Sequence, residues 1–383
     1  MKEDNKMNAP LPDSFLSTPI VYAAGNEYQI FLPVSTPTLM WIRVGDREFY
    51  DDSNGVLRSD VTMHRVAVPM EVLDKEKSYT VCIRQVLERK AYHSVVGEIE
   101  TYTSDFKPVC GDTLHIYHVA DAHNAVEGPV NAAAYFGDEL DLLILNGDIP
   151  EHCGKAENLD TIYKIASQVT KGRIPVIFSR GNHDTRGAFA EKLGDCTPLV
   201  NGNSYYSVRL GSLWFLILDC AEDKVDENEE YGHTVCCEAF RRRETAYIED
   251  VIRHAEKYGE EYAAPGIKHK IIVAHNPFTR NSPNPKFNIE VELYTYWSKL
   301  LREHIKPELM LCGHLHRTFV SHAGSKHDDK GQPCTVVVAS EINKEDKSFA
   351  VGGAITISDT DINVKFTDNL HNVKGEETIS LKA

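Results

Sequence analysis

From residue 114 onward, short apolar runs alternate with small polar clusters. The runs span 116–120, 142–145, 174–178, 271–274 and 309–312. Each is short, wholly apolar or nearly so, and bounded by turn residues, which predicts a buried strand. Further strands are predicted at 335–339, 354–357 and 362–367. Helical stretches are predicted between them, over 129–140, 159–171, 238–258 and 289–305. In 238–258, Phe240, Tyr247, Ile248, Val251, Ile252 and Ala255 share one side, as a stripe packed on a core would.

The first hundred residues follow a different pattern. Strands are predicted at 28–33, 38–44, 66–69, 79–86 and 94–101, with turn signals such as Asp52-Ser53-Asn54-Gly55 between them. Apart from a turn near 70–75, no helix is predicted. This fits a small all-β sandwich of the fibronectin/immunoglobulin type, with Trp41 in its core. The predicted organisation is a flexible arm over 1–18, an all-β sandwich domain over 19–106, and a larger α/β (α+β) domain over 107–383. Every polar cluster lies in the last of these, so removal of 1–106 is expected to leave it folded.

Composition narrows the function. The chain has 383 residues, 42% of them hydrophobic, and a net charge of −16. An acidic surface repels nucleic-acid backbones and anionic membranes, so neither a nucleic-acid polymer nor a membrane is an expected partner. A small phosphorylated substrate stays open, because bound cations reverse the field locally. The nine cysteines form no C-x-x-C pair, which argues against a disulfide framework or a structural zinc. The first 18 residues lack the pattern of a signal peptide, and no stretch reaches the roughly 20 apolar residues needed to span a bilayer. A cytoplasmic location is expected. The oligomeric state is not legible.

The polar clusters are Asp121-Ala122-His123, Gly147-Asp148, Gly181-Asn182-His183-Asp184, His275 and Gly313-His314-Leu315-His316. Each follows a predicted strand. In open α/β sheets ligands bind beyond the carboxyl ends of strands, so these Asp, Asn and His side chains should converge on one edge. A set of imidazole and carboxylate donors of this size suits a dinuclear metal site. The i,i+2 spacing of Asp121/His123 and of His314/His316 puts each pair on one side of an extended segment.

This ordered set, D-x-H, G-D, G-N-H-D, H and G-H-x-H, resembles the calcineurin-like metallophosphoesterase superfamily. The resemblance covers roughly residues 112–368. It implies a β-sandwich flanked by helices as the catalytic core. It also implies two divalent metal ions, manganese first, with iron, zinc or cobalt as alternatives. By the same resemblance Asp121, His123 and His316 hold the first ion, Asp148 bridges both, and Asn182, His275 and His314 hold the second. His183 would face the leaving group as general acid, with Asp184 holding its ring.

The implied reaction is phosphoester hydrolysis by in-line attack of a hydroxide bridging the ions, with phosphomonoesters favoured. A phosphodiesterase acting on a small or cyclic nucleotide is the alternative. A non-catalytic metal-binding scaffold is the alternative of another class. His152, Arg180, Arg186 and Arg280 are candidate substrate contacts. His118 reads as a core histidine. The acidic run 222–230 and the basic run Arg241-Arg242-Arg243 read as solvated surface.

The order of domains also resembles that of purple acid phosphatases. Their second block, however, is G-D-x-x-Y, with a tyrosinate for ferric iron. Here Glu151 stands at that position, and the first block has His123 in place of a glycine. A ferric, purple centre is therefore not expected.

Overall fold

The computed structural model describes residues 10–343 and 345–381. It is a mixed α/β structure built on two large sheets. The ten-stranded sheet runs in the order Val373–Ser380, Asp361–Asp368, Ala350–Ile357, Leu114–Val119, Leu142–Asn146, Val176–Ser179, Ile20–Ala24, Glu27–Pro33, Met63–Pro69. The short strand Glu341–Ile342 pairs beside Ala350–Ile357. The six-stranded sheet runs Tyr206–Leu210, Leu213–Leu218, His269–Ala274, Leu309–Cys312, Thr335–Ala339, Thr318–Ser321.

The central strands of both sheets are parallel to their neighbours. Every residue of Leu142–Asn146, Leu213–Leu218 and Leu309–Cys312 is buried. Strands covered on both faces need no polar alternation, which is why these segments read as continuous apolar runs. Ile116, Ile144 and Ile177 of one sheet share a core with Phe215, Ile271 and Leu311 of the other. The outer faces carry helices. Ile162, Ile165 and Ala166 of helix Ala156–Thr170 cover Leu143, Leu145 and Val176. Ile248 and Val251 of helix Cys237–Tyr258, with Trp297 of helix Val291–Leu300, cover Leu216, Ile272 and Met310. The result is the helix-flanked β-sandwich expected from the sequence.

Local chemistry sets the helix ends. Asp226 accepts hydrogen bonds from the first N–H groups of helix Cys237–Tyr258, from Cys237 at 3.0 Å and Glu238 at 3.2 Å. That helix stops at Gly259 (φ 66°), whose N–H returns to the Ala255 carbonyl. The predicted helix at 129–140 is divided instead into an α-helix, Glu127–Ala133, and a 3-10 turn, Ala134–Glu139. The residues near 70–75 form a full short helix, Met70–Glu76.

The N-terminal strands build a four-stranded sheet, Arg47–Tyr50, Thr38–Val44, Ser78–Arg89, Ser94–Asp105, and it faces the end of the large sheet. Trp41 is only half-buried: Met40 and Ile42 alternate into the core, so Trp41 falls on the other side of the pleat. The border expected at 106/107 is crossed by backbone pairing. Strand Ile20–Ala24, absent from the predicted elements, lies parallel to Val176–Ser179, with Tyr22 opposite Val176. All five of its residues are buried. Of the expected arm over 1–18, residues 1–9 lie outside the described residues. From Pro10 onward the chain is attached, with Phe15 bridged to Val34 and buried.

Candidate metal centre

The expected ligands stand at the carboxyl ends of five strands. Asp121, Asp148 and Asn182 follow three strands of the ten-stranded sheet. His275 and His314 follow two strands of the facing sheet. The loops turn hard there. Asp121, His123, Asp148, His314 and His316 all have φ between 45° and 69°, a left-handed conformation that non-glycine residues adopt at a cost and that concentrates at functional sites. Glycine makes room for it. A Cβ on Gly147 would sit 2.6 Å from Nδ1 of His275 and from the Gly181 nitrogen. A Cβ on Gly313 would lie 2.7 Å from Oδ2 of Asp121.

Three groups of donor atoms result, each within 4.8 Å: Asp121, His123 and His316; Asp148, His275 and His314; and His123, Glu151 and His183. In the first, Nε2 of His316 lies 3.3 Å from Oδ1 of Asp121, and Nε2 of His123 lies 3.0 Å from Nε2 of His316. In the second, Nε2 of His275 lies 3.1 Å from Oδ2 of Asp148, and Oδ1 of Asn182 lies 2.9 Å from Nδ1 of His314.

The donors fit cations and little else. Oδ2 of Asp121 accepts from the His314 N–H at 2.7 Å and from the Ser340 hydroxyl. Its Oδ1 is buried with no hydrogen-bond partner among the described residues, and so is Nε2 of His275. Nδ1 of His275 donates to the Asn146 carbonyl at 2.6 Å, which leaves Nε2 as the free lone pair. The Asn182 amide points its oxygen toward acceptors. Reversed, its nitrogen would donate to Asp148 at 3.2 Å and to His314 at 2.9 Å. Oxygen facing acceptors is the favourable orientation when a cation lies among them.

Electrostatics agree. Burial alone would raise the Asp121 carboxyl, but His275, His123 and His316 outweigh it and hold the group well below its ordinary range. Burial likewise opposes ionisation of Asp148, and His275 more than compensates. His118, a core histidine as expected, is driven down to about 3 by burial and stays neutral.

His183, a member of the third group, is half-buried beside the first two, its Nε2 4.0 Å from Oδ2 of Asp148. Its ring is held by the backbone of Glu151: Nδ1 lies 2.6 Å from that carbonyl oxygen. This corrects the expectation for Asp184. The Asp184 carboxylate does not reach the imidazole. Its Oδ2 accepts from the backbone N–H of Gly181 at 2.7 Å and of Asp148 at 3.1 Å, so it ties two ligand loops together. Burial, and then the nearby Asp148, push its carboxyl up to about 7.

The candidate substrate contacts separate. Arg180 turns to Asp219 at 2.7 Å and packs over Phe240. Arg186 forms a two-pronged pair with Glu222 at 2.8 and 2.9 Å. Each guanidinium is thus engaged by a carboxylate. His152 accepts from the Gly154 N–H at 2.9 Å. Arg280 lines a cavity of about 360 Å³ that reaches His314.

The run 222–230 is not solvated throughout: Glu222 is fully buried, and Lys224 is buried against Glu230 at 2.8 Å. Arg241 is buried too, its Nη1 donating to the carbonyls of Cys220 and Glu222. Charge runs resemble solvated faces in sequence, and the internal pairing that buries these ones has no periodic signature. Ser340, Asn146 and the Glu151 carbonyl were missed for a similar reason, since backbone acceptors and single supporting side chains leave no motif.

A family model for calcineurin-like phosphoesterases matches residues 114–318. The chain belongs to this family. It is therefore a metal-dependent phosphoester hydrolase of a family that works with a pair of divalent ions. No curated protein sequence matches it significantly. Among solved structures, a purple acid phosphatase from yellow lupin (Lupinus luteus) seeds is similar at 13% identity, covering 97% of this chain and 74% of its own, with a TM-score of 0.56. A PhoD structure is similar at 10% identity, covering 97% of this chain and 90% of its own, with a TM-score of 0.54. At these identities the likeness is one of fold, and it spans the N-terminal β-domain as well as the phosphoesterase core. Among the described residues no helix is long and apolar enough to cross a membrane.

Proposed function

We propose that this member of the family hydrolyses small phosphomonoesters. The observation that carries this reading is the meeting of two donor groups, Asp121/His123/His316 and Asp148/His275/His314, with His183 held beside them. Asp121, His123 and His316 would hold one ion. Asn182, His275 and His314 would hold the other, with Asp148 between. All donors are nitrogen or oxygen, which suits manganese, with iron, zinc or cobalt as alternatives. When bound, two such ions supply charge neutralisation at phosphorus and a nucleophile at neutral pH.

The chain's own residues do the rest. The Asn146 carbonyl fixes the His275 ring through Nδ1, so its other nitrogen would face a bound ion. Ser340 and the His314 N–H occupy one oxygen of Asp121 and aim the other. The Glu151 carbonyl accepts from Nδ1–H of His183, which fixes the ring and leaves Nε2 for the leaving oxygen. Asp184 sets the distance between the Gly147 and Gly181 loops. The purple acid phosphatase that shares both domains supports the preference for monoesters.

The nine cysteines are all free thiols, which supports a reducing, cytoplasmic location. The test is hydrolysis of 4-nitrophenyl phosphate against bis(4-nitrophenyl) phosphate with Mn, Zn, Co, Ni and Mg. Faster turnover of the monoester is expected. Exclusive turnover of the diester overturns the substrate assignment. No turnover of either with any metal overturns the catalytic reading.

A further inference from the structure

The cavity beside His314 has its own chemistry. It holds about 360 Å³, the size of a small-molecule site. His314 and Leu315 form the wall nearest the ligands, and Phe278 and Phe287 contribute apolar surface. Arg280, Arg317 and Lys330 also line it. On a chain of net charge −16, three cations around one small cavity call for a reason.

The guanidinium groups of Arg180 and Arg186 are paired with carboxylates. Arg280 and Arg317 are not: among the described residues neither forms an ion pair. The Arg280 guanidinium stacks over Phe319 and its Nη1 is buried without a hydrogen-bond partner. Burial, and then the neighbouring Arg317, disfavour its charge. Asp329 offsets this only in part, and its carboxylate already accepts from the Asn281 N–H at 2.7 Å, so an anion joining the two guanidinium groups would be favoured. Lys330 is buried and anchors the loop from beneath, donating to the Arg280 carbonyl at 2.9 Å and to Oδ1 of Asn281 at 2.8 Å. Asp223, the carboxylate in the lining, is already engaged by Lys224 at 3.5 Å and by Arg186 at 3.6 Å.

We propose that the cavity receives the leaving group of the substrate and that Arg280 and Arg317 bind a second anionic group on it. The preferred substrate is then a small phosphomonoester that also carries a phosphate or a carboxylate. This rests on the phosphomonoesterase reading and adds a substrate class to it. Guanidinium forks match both anions, and charge-assisted contacts of this kind are among the stronger hydrogen bonds.

The test is calorimetric binding to the metal-loaded chain. The probes are non-hydrolysed alkylphosphonates of three to six carbons, compared with ω-carboxyalkylphosphonates and α,ω-bisphosphonates of equal length. At the matching length the second anion should tighten binding about tenfold or more, beyond the factor of two from the symmetry of a bisphosphonate. The carboxylate and bisphosphonate arms show which anion is preferred. Arg280→Gln and Arg317→Gln should each reduce this gain and the double variant should abolish it. Arg317 is exposed, so its variant remains decisive if Arg280→Gln fails to fold, which thermal melting shows. Equal affinity for mono- and dianionic probes at every length overturns the proposal, as does a gain that survives the Arg317→Gln change. A gain from the second anion in a chain that turns over no ester would leave this site standing and sink the catalytic reading. Monoester turnover with no such gain would do the reverse.

Discussion

Nε2 of His275 and Oδ2 of Asp148 lie 3.1 Å apart in a fully buried setting, and the other ring nitrogen of His275 is already committed to the Asn146 carbonyl. Two lone pairs at that separation need a proton or a cation between them. Burial alone would lower the imidazolium, but Asp148 and Asp121 outweigh it and raise it to about 10, against about 6.5 in an unfolded chain. In ion-free protein the stabilisation from this pair is complete below the unfolded value and is lost as the pH rises through about 10. A bound cation takes the proton's place. The melting temperature of chelated protein should therefore fall from about pH 7 to about pH 10, and its gap to metal-loaded protein should widen. A gap that stays constant over that range would count against a shared place for proton and cation.

Asp148→Asn should abolish turnover and lower metal content at both positions, because Asp148 is the carboxylate proposed to stand between the ions. Elemental analysis checks it. Two ions per chain in the variant would show that the bridge is elsewhere.

His183→Ala should keep the metals and lower kcat by roughly 10²–10⁴, the usual range for a lost general acid. The loss should be smaller for aryl esters, whose leaving oxygen needs no proton, than for alkyl esters. Equal losses on both would remove the general-acid role.

Deletion of residues 1–106 should not give a soluble domain. It strips strand Ile20–Ala24 from Val176–Ser179 and bares an edge in the middle of the large sheet. A milder probe is Tyr22→Ala, which empties a fully buried position packed edge-on against Phe31. It should cost about 3–5 kcal/mol, as large aromatic truncations do. A folded, metal-binding fragment 107–383 would show that the pairing is dispensable.

The active protein should be colourless. Ferric purple centres need a tyrosinate, and Glu151 stands in its place, with a carboxylate oxygen 3.1 Å from Nδ1 of His123. A chelator should remove activity and Mn²⁺ should restore it. A strong visible band in purified active protein, or full activity after exhaustive chelation, would refute this.

The sequence carried the site further than the fold around it. The clustering of Asp121, His123, Asp148, Asn182, His275, His314 and His316 was legible because each follows an apolar run at a strand's carboxyl end, and that topology brings them together. The runs at 38–44 and 335–339 match their strands residue for residue. What escaped was long-range. Nothing in 20–24 says that it pairs with 176–179, because parallel pairing has no local turn to announce it. Arg186 reads as a phosphate ligand until Glu222, 36 residues away, is seen to occupy it. Asp184 reads as the partner of its neighbour His183, yet the 3-10 turn His183–Thr185 directs the two side chains apart.

Asn146 has one more consequence. Its side-chain nitrogen touches Nε2 of His118 at 2.9 Å and the Leu311 carbonyl at 3.1 Å, so a single amide clamps the two sheets directly under the ligands. Asp121 and Asn182 ride on one sheet, His275 and His314 on the other. Each proposed ion would draw ligands from both sheets, so the gap between the sheets would be the calliper that sets how closely the donors close on a cation. Methylene-sized changes to Ile144, Val273 or Leu311, none of which touches a donor atom, would open or close its jaws and retune which ions the protein prefers.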